Sequence, residues 1–130
     1  MKLEEIPQVQ LIVFDKEREQ EEALVLHQHS YYSSRFVEIQ HRSTLHYYVY
    51  AHNKFKSHGG VFQRFMRSIE NVAVSEGFAV RGGGTIFIEG GKVSLYDFSA
   101  DYGPYHPQAI KSIVTDFFSQ HFPEADVKFG

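Results

Sequence analysis

Two short stretches of the chain carry residues that could bind an anion and act on it. Residues 96–104 run from a predicted strand through Ser99 and a Gly-Pro pair into a predicted amphipathic helix. His58 stands before Gly59 and Gly60 at the start of another predicted helix. N–H groups at a helix start can hold phosphate, because they lack partners inside the helix and lie at the positive end of its dipole. A serine hydroxyl would add a donor, and an imidazole would add a base or nucleophile, although turns and helix caps use the same residue types.

Eight histidines raise the question of a metal site. His27 and His29 share one face of a predicted strand, and His46, His52 and His58 recur at regular intervals. Neither spacing is that of an established ligand set, and no acidic cluster accompanies them. The chain has no cysteine, which excludes disulfides, thiolate zinc sites and thiol nucleophiles. The sequence therefore predicts no metal site and no cofactor.

Composition limits the class of partner. The chain has 130 residues with 13 basic and 16 acidic side chains, for a net charge of -3. This acidic balance argues against a surface that wraps nucleic acid. No N-terminal stretch has the pattern of a signal peptide, and no apolar run approaches the length of a membrane span. We expect one domain over residues 1–130, a cytoplasmic location, no membrane partner, and a monomer or weak dimer.

Hydrophobic periodicity predicts strands interspersed with two main helices. The charged run 15–22 is predicted to be a solvated loop or helix face, and the triple glycine 82–84 a turn. In the strand 35–41, polar Glu38 and Gln40 alternate with apolar residues, which predicts that one face lies in water. The segments with strand-like composition are 8–14, 23–29, 35–41, 45–50, 78–80, 85–88, 92–98 and 127–129. Residues 42–44 and the glycine pair 90–91 are each predicted to turn the chain between two of these strands and so form a hairpin.

Helical spacing of apolar residues marks the two helices. One runs from Val61 through Ala73 and is predicted to close at Gly77. The other has Pro107 near its start and ends after His121. The expected fold class is α/β, bordering on α+β, with a mixed sheet of about six strands and two main helices packed on it.

Five motifs follow one another along the chain: Ile6-Pro7-Gln8-Val9, Arg35-Phe36-Val37-Glu38-Ile39, His58 before a helix, Gly82-Gly83-Gly84-Thr85-Ile86 and Ser99-Ala100-Asp101-Tyr102-Gly103-Pro104. Read in this order, they resemble the Janus/Ocnus family of protein-histidine phosphatases. The strongest match covers residues 78–129, residues 35–77 match more loosely, and residues 15–34 look like a charged insertion. The resemblance implies a phosphohistidine-phosphatase-like fold, no metal requirement, and phosphohistidine in proteins as substrate.

The resemblance also implies roles for individual residues. His58 stands where the family has its catalytic histidine, and His52 is the alternative. Whether the histidine acts as a general base or as a covalent nucleophile stays open. The expected phosphate-binding residues are Arg35, Gly59, Gly60, Ser99, Ala100 and Asp101.

Three departures from the family pattern leave other functions open. Asp101 stands where a small residue is expected, Thr85 where a basic residue can follow the triple glycine, and Pro107 where a helix-start histidine is common, with His106 one position early. A negative charge beside a bound phosphate would weaken binding. The alternatives are a non-catalytic phosphoprotein-binding or regulatory module on the same fold, and a small-molecule phosphoramidase.

Overall fold

A mixed β-sheet with one helix on each face forms the centre of the computed structural model, which describes residues 2–70 and 76–130. In that part of the chain the sheet has nine strands, two of them only two residues long. The predicted fold class is confirmed, with more strands than expected. The strands are β1 Val9–Asp15, β2 Gln20–Ala23, β3 Tyr31–His41, β4 Tyr47–His52, β5 Phe78–Glu89, β6 Lys92–Tyr96, β7 Phe98–Ser99, β8 Gly103–Pro104 and β9 Asp126–Phe129; the helices are α1 His58–Ser68 and α2 Pro107–His121, after a short 3-10 helix Leu3–Glu5.

The long strand β3 lies near the middle of the sheet. The main strand order is β2-β1-β4-β3-β5-β6-β9, and β8 pairs with β5 and β7 at one side. The pairs β1–β4, β5–β8 and β6–β9 are parallel, and the other pairs are antiparallel. A register shift between Glu38 and Ile39 interrupts the β3–β5 ladder.

Two hydrophobic clusters hold the helices on opposite faces of the sheet. On one face, α1 packs Val61 and Phe65 against a cluster that includes Val37 and Ile39. On the other face, α2 packs its own apolar stripe against a cluster that includes Phe36. The prediction that β3 has one face in water is wrong, because both of its faces are covered at this point and Glu38 is fully buried.

The triple glycine lies inside β5 and not in a turn, so that prediction is wrong. Residues 82–84 continue the ladder with β3, where Gly82 is opposite Glu38 and Gly84 is opposite Phe36. Local sequence favours a turn because three glycines have no side chains to pack on a sheet. Here other parts of the chain come so close to β5 that side chains would not fit.

Three local predictions also change. Part of the charged run 15–22 belongs to strands, because it forms the β1–β2 hairpin. Residues 24–29 are not a strand. Helix α1 ends at Ser68, well before Gly77. At this end of the helix the Ser68 hydroxyl donates to the Phe65 carbonyl at 2.6 Å, a bond that competes with helix continuation. The predicted helical positions Val72 and Ala73 lie outside the described residues.

Other predictions are confirmed. The β3–β4 hairpin and the β5–β6 hairpin both form, the latter with Gly90 at a φ of 61°. Helix α2 begins at Pro107 and is followed by Phe122 as its C-cap.

Candidate functional site

The start of α1 presents backbone donors that have no helical partner. Ser57 is the N-cap, and its hydroxyl oxygen accepts the Gly60 N–H at 3.0 Å. The first helical bond joins the Val61 N–H to the Ser57 carbonyl at 3.1 Å. The N–H groups of His58 and Gly59 precede that bond and have no partner within residues 2–70 and 76–130. His58 is thus the first residue of the helix, and Ser57 is its cap.

The His58 imidazole is oriented by the backbone of the triple glycine. Its Nε2 lies 2.9 Å from the carbonyl oxygen of Gly84, and since a carbonyl can only accept, Nε2 carries the hydrogen. In the neutral ring Nδ1 then holds a lone pair. In the described part of the chain, every fully buried side-chain nitrogen or oxygen has a hydrogen-bond partner. Because Nδ1 has no partner, it is not fully buried and reaches the solvent. The ring is held in place by this hydrogen bond and by burial, because the residue is only 7% exposed.

Gly83 lets the parts of the site come together. A Cβ atom at Gly83 would lie 2.8 Å from His58 Cδ2, 2.8 Å from the Phe36 carbonyl oxygen and 3.2 Å from Ser99 Cβ. His58 and Ser99 therefore crowd the same face of this glycine and are neighbours in space. A side chain at Gly82 would likewise collide with the backbone of Pro104 in β8. The glycines are needed here for close approach of other chain segments.

The loop after β7 is closed by Ser99 itself. The Ser99 hydroxyl oxygen accepts the N–H groups of Asp101 at 3.2 Å and Tyr102 at 3.1 Å. Those donors are engaged within the loop, whereas the N–H of Ala100 has no partner in the part of the chain described. Asp101 is exposed, so its carboxylate remains in contact with water.

Tyr102 connects the loop to the start of α1. Its hydroxyl oxygen lies 3.7 Å from the position of a Cβ at Gly59, and its ring is 6.5 Å from the ring of Phe62. The tyrosine hydroxyl therefore stands beside the free N–H groups. Sequence reasoning gave Tyr102 no role of its own, and only its place in the Ser99 loop motif pointed to it.

Arg35 lies one step along the sheet from His58. It is opposite Thr85 in the β3–β5 ladder, next to the glycine whose carbonyl binds His58. The Arg35 side chain is exposed and lines a separate small cavity, together with Lys56 and Thr85. The structure thus brings His58, Gly59, Gly60, Ser99 and Ala100 together and places Arg35 at their edge.

A buried carboxylate holds the far end of the loop. Glu38 accepts the backbone N–H of His106 at 3.1 Å and lies 2.7 Å from His106 Nδ1. His106 is the N-cap residue of α2, and its side chain is 60% exposed. Glu38 therefore anchors the segment that joins the Ser99 loop to α2. The signal in the sequence was an acidic residue in an otherwise apolar run, which was interpreted as a solvent-facing position.

His52, the alternative catalytic histidine, has both ring nitrogens occupied. Nδ1 accepts the Lys54 N–H at 3.3 Å, and Nε2 donates to Glu21 at 2.9 Å. The pKa of His52 is lowered, chiefly by burial, although the Glu21 carboxylate acts in the opposite direction. Since the side chain is also fully buried, it has no nitrogen available to a substrate. The geometry favours His58 over His52.

Glu21 connects the β1–β2 hairpin to α1. Its carboxylate accepts two hydrogen bonds from Arg64, at 2.8 and 2.6 Å, in addition to the bond from His52. Hydrogen bonds from Arg64 and His52 lower the pKa of Glu21 to about 2. The charged segment that looked like an insertion is therefore fastened to the helix that carries His58.

Comparisons and searches for other features add little to this geometry. A scan against family models finds no match, and a search of curated proteins finds no significant match. The Janus/Ocnus resemblance therefore rests on the motifs quoted above.

Within residues 2–70 and 76–130, no group of three or more His, Cys, Asp or Glu side chains could hold a metal ion. In the same residues, none of the helices combines the length and the apolar character needed to cross a membrane.

Proposed function

We propose that the protein is a metal-independent phosphatase that hydrolyses the P–N bond of phosphohistidine in proteins. The observation that carries the proposal is the His58 imidazole, which has Nε2 held by the Gly84 carbonyl and Nδ1 open to solvent. Free N–H groups at the α1 start and the Ser99 loop lie beside it. The resemblance of the motifs to a family of protein-histidine phosphatases supports the same reaction.

Two routes use the Nδ1 lone pair of His58. As a general base, Nδ1 takes a proton from water while the water oxygen bonds to phosphorus and the P–N bond of the substrate breaks. As a nucleophile, Nδ1 bonds to phosphorus itself, the substrate imidazole leaves, and water then hydrolyses the new P–N bond. In both routes the leaving imidazole nitrogen gains a proton from solvent. Intact-mass measurement of acid-free quenched enzyme separates them, because only the second route adds a phosphoryl group to His58.

Binding of the phosphoryl group falls mainly to the backbone. The unpaired N–H groups of His58 and Gly59 lie at the positive end of the α1 dipole, and the unpaired N–H of Ala100 lies in the neighbouring Ser99 loop. The N–H groups of Gly60 and Asp101 are already bonded to Ser57 and Ser99. Phosphoryl transfer depends mostly on such positioning and on neutralising the phosphate oxygens. Arg35 supplies a positive charge from the edge of the site.

The test is phosphate release from a phosphohistidine peptide in the presence of EDTA. The variant His58→Gln keeps an amide donor for the Gly84 carbonyl but has no basic nitrogen, so we expect it to lose activity while remaining folded. The matched control is His46→Gln, at an exposed histidine outside the site, which we expect to keep full activity. Full activity in His58→Gln would remove His58 from the mechanism. Arg35→Ala should chiefly raise KM.

A second candidate is a non-catalytic phosphoprotein-binding module. Asp101 counts against the phosphatase, because its carboxylate is exposed on the loop proposed to hold phosphate and its N–H is engaged within that loop. Binding of a phosphohistidine analogue with no turnover of any phosphoramidate would support this module. Faster turnover of phospholysine, phosphoarginine or free phosphohistidine than of phosphohistidine peptides would instead indicate a small-molecule phosphoramidase.

A further inference from the structure

A polar cavity of about 230 Å³ lies on the sheet beside His58. Arg35, Lys56, Asn53, Ser33 and Thr85 are among the side chains that line it, and none of the described lining residues is a carboxylate. The Asn53 side-chain oxygen is engaged by the Phe14 N–H at 2.8 Å, so its amide hydrogens remain as donors. The cavity is therefore lined by a guanidinium, an ammonium, an amide and hydroxyl groups. This combination suits an oxyanion.

Neither cation of the cavity is neutralised by a described residue. Within residues 2–70 and 76–130, the charged groups of Arg35 and Lys56 make no ion pair and no hydrogen bond. Other surface cations are unpaired too, but these two converge on one concave site without an acid. Two like charges that face the same cavity repel each other, and an anion placed between them would remove that repulsion.

The cavity lies two residues along β5 from the His58 site. The His58 ring lies over Gly83, and Thr85 is the next residue of β5 on the same face. Arg35 is the partner of Thr85 in β3. Two residues along a strand correspond to about 7 Å. A ligand with two anionic groups at that separation would reach both the His58 site and the cavity.

We propose that this cavity binds the carboxylate of an aspartate or glutamate two residues from the phosphohistidine of the substrate. The proposal rests on the proposed function, because it takes the phosphoryl group to lie at His58. In an extended polypeptide, side chains two residues apart point the same way and are about 7 Å apart. That spacing matches the two-residue step along β5 that separates the two sites. Lys56 is then a specificity-determining residue, and Arg35 lies at the boundary between the two anions.

The experiment compares two phosphohistidine peptides that differ only at the positions two residues before and after the histidine, with Glu in one and Gln in the other. We expect kcat/KM to be about tenfold higher for the Glu peptide, mostly through KM, the size of one charge-assisted contact. In Lys56→Gln this preference should disappear. The matched control Lys54→Gln should keep both the preference and the activity, because Lys54 lies 4.5 Å from the Phe14 ring centroid and does not line the cavity.

A parallel measurement separates failure of this proposal from failure of the proposed function. Binding of the same two peptides, made with a non-hydrolysable phosphohistidine analogue, is measured by fluorescence polarisation for the wild type and Lys56→Gln. Hydrolysis of both peptides with equal kcat/KM, or a Glu preference that survives in Lys56→Gln, would overturn the subsite and leave the phosphatase standing. Absence of turnover with Glu-selective binding that depends on Lys56 would support the subsite and reject the phosphatase. Equal binding of both analogues without turnover would reject both.

Discussion

Replacement of Gly83 by alanine would place one methyl group where three parts of the site meet. The added carbon would lie 2.8 Å from the His58 ring, 2.8 Å from the Phe36 carbonyl oxygen and 3.2 Å from Ser99 Cβ. The first two distances are shorter than any ordinary carbon contact, so neighbouring atoms must move. The histidine ring can swing aside, but the Phe36 oxygen belongs to the backbone of β3 and can move only if the strands separate.

The size of the effect follows from the two kinds of neighbour. Forcing a methyl group into a packed interior costs about 1–3 kcal/mol, and a backbone neighbour places this case near 2 kcal/mol. For a domain of this length, that corresponds to a fall in Tm of about 6–10 °C. A His58 ring pushed off the Gly84 carbonyl by about 1 Å would cost about 100-fold in activity.

Three measurements test this expectation, and only one depends on the proposed function. Thermal unfolding gives the loss of stability, and long-range ¹H–¹⁵N spectra of the histidine rings show whether His58 keeps its hydrogen on Nε2. Phosphate release from a phosphohistidine peptide gives the loss of activity. The matched control is Gly91→Ala, where the added carbon would be 3.8 Å from the Phe122 ring. We expect this control to change stability by less than about 0.5 kcal/mol.

A Gly83→Ala variant with the Tm and His58 spectrum of the wild type would contradict this expectation. It would mean that His58 and Ser99 do not crowd this glycine. Lower stability with normal phosphate release would instead retain the packing argument and remove the link between the orientation of His58 and catalysis.

Three further predictions concern the elements that position the site. The pKa of Glu21 is about 2, below its ordinary 4.5, so the stabilisation from its pairing is present above about pH 4.5 and is lost as pH falls toward 2. In urea unfolding, Glu21→Gln should remove about 1 kcal/mol of this pH-dependent stability, a value reduced for solvent screening, and an unchanged acid profile would contradict the expectation. Glu38→Gln should cost about 2 kcal/mol in the same assay, because an NH2 group, which cannot accept, replaces one of the two carboxylate oxygens that each bind one nitrogen of His106; a cost near zero would show that Glu38 does not anchor the loop. Gly59→Ala should raise stability by about 0.5–1 kcal/mol, because the added carbon meets only Tyr102 at 3.7 Å, and a fall in Tm would contradict the open space seen there. The same variant should weaken inorganic phosphate binding if the anion lies against this glycine.

Local patterns predicted those parts of the fold whose causes are local. Helix α2 follows from the helical spacing of its apolar residues and from Pro107 at its start. The β5–β6 hairpin follows from its glycine pair. The position of His58 at a helix start could also be predicted, because Ser57 caps that helix through a contact only three residues long.

The predictions failed where distant segments decide the environment. The triple glycine looked like a turn because its local signal is flexibility, yet it is strand because the α1 start, β8 and Phe36 all approach β5 there. Glu38 was predicted to face water because strand alternation marks a polar face. It is buried because α2 begins on that face and places the His106 N–H and ring against the carboxylate.

The residues that could do chemistry follow from local sequence: a histidine at a helix start, a serine loop before another helix, and three glycines between them. Those signals depend on neighbours within a few positions, where chain geometry leaves few choices. Three further features depend on long-range packing: these segments meet at Gly83, His58 keeps one nitrogen open while His52 keeps none, and Arg35 and Lys56 line a cavity two strand residues away. The reason is that strand order and register bring together residues from distant parts of the chain, and no local pattern records which strands will be neighbours.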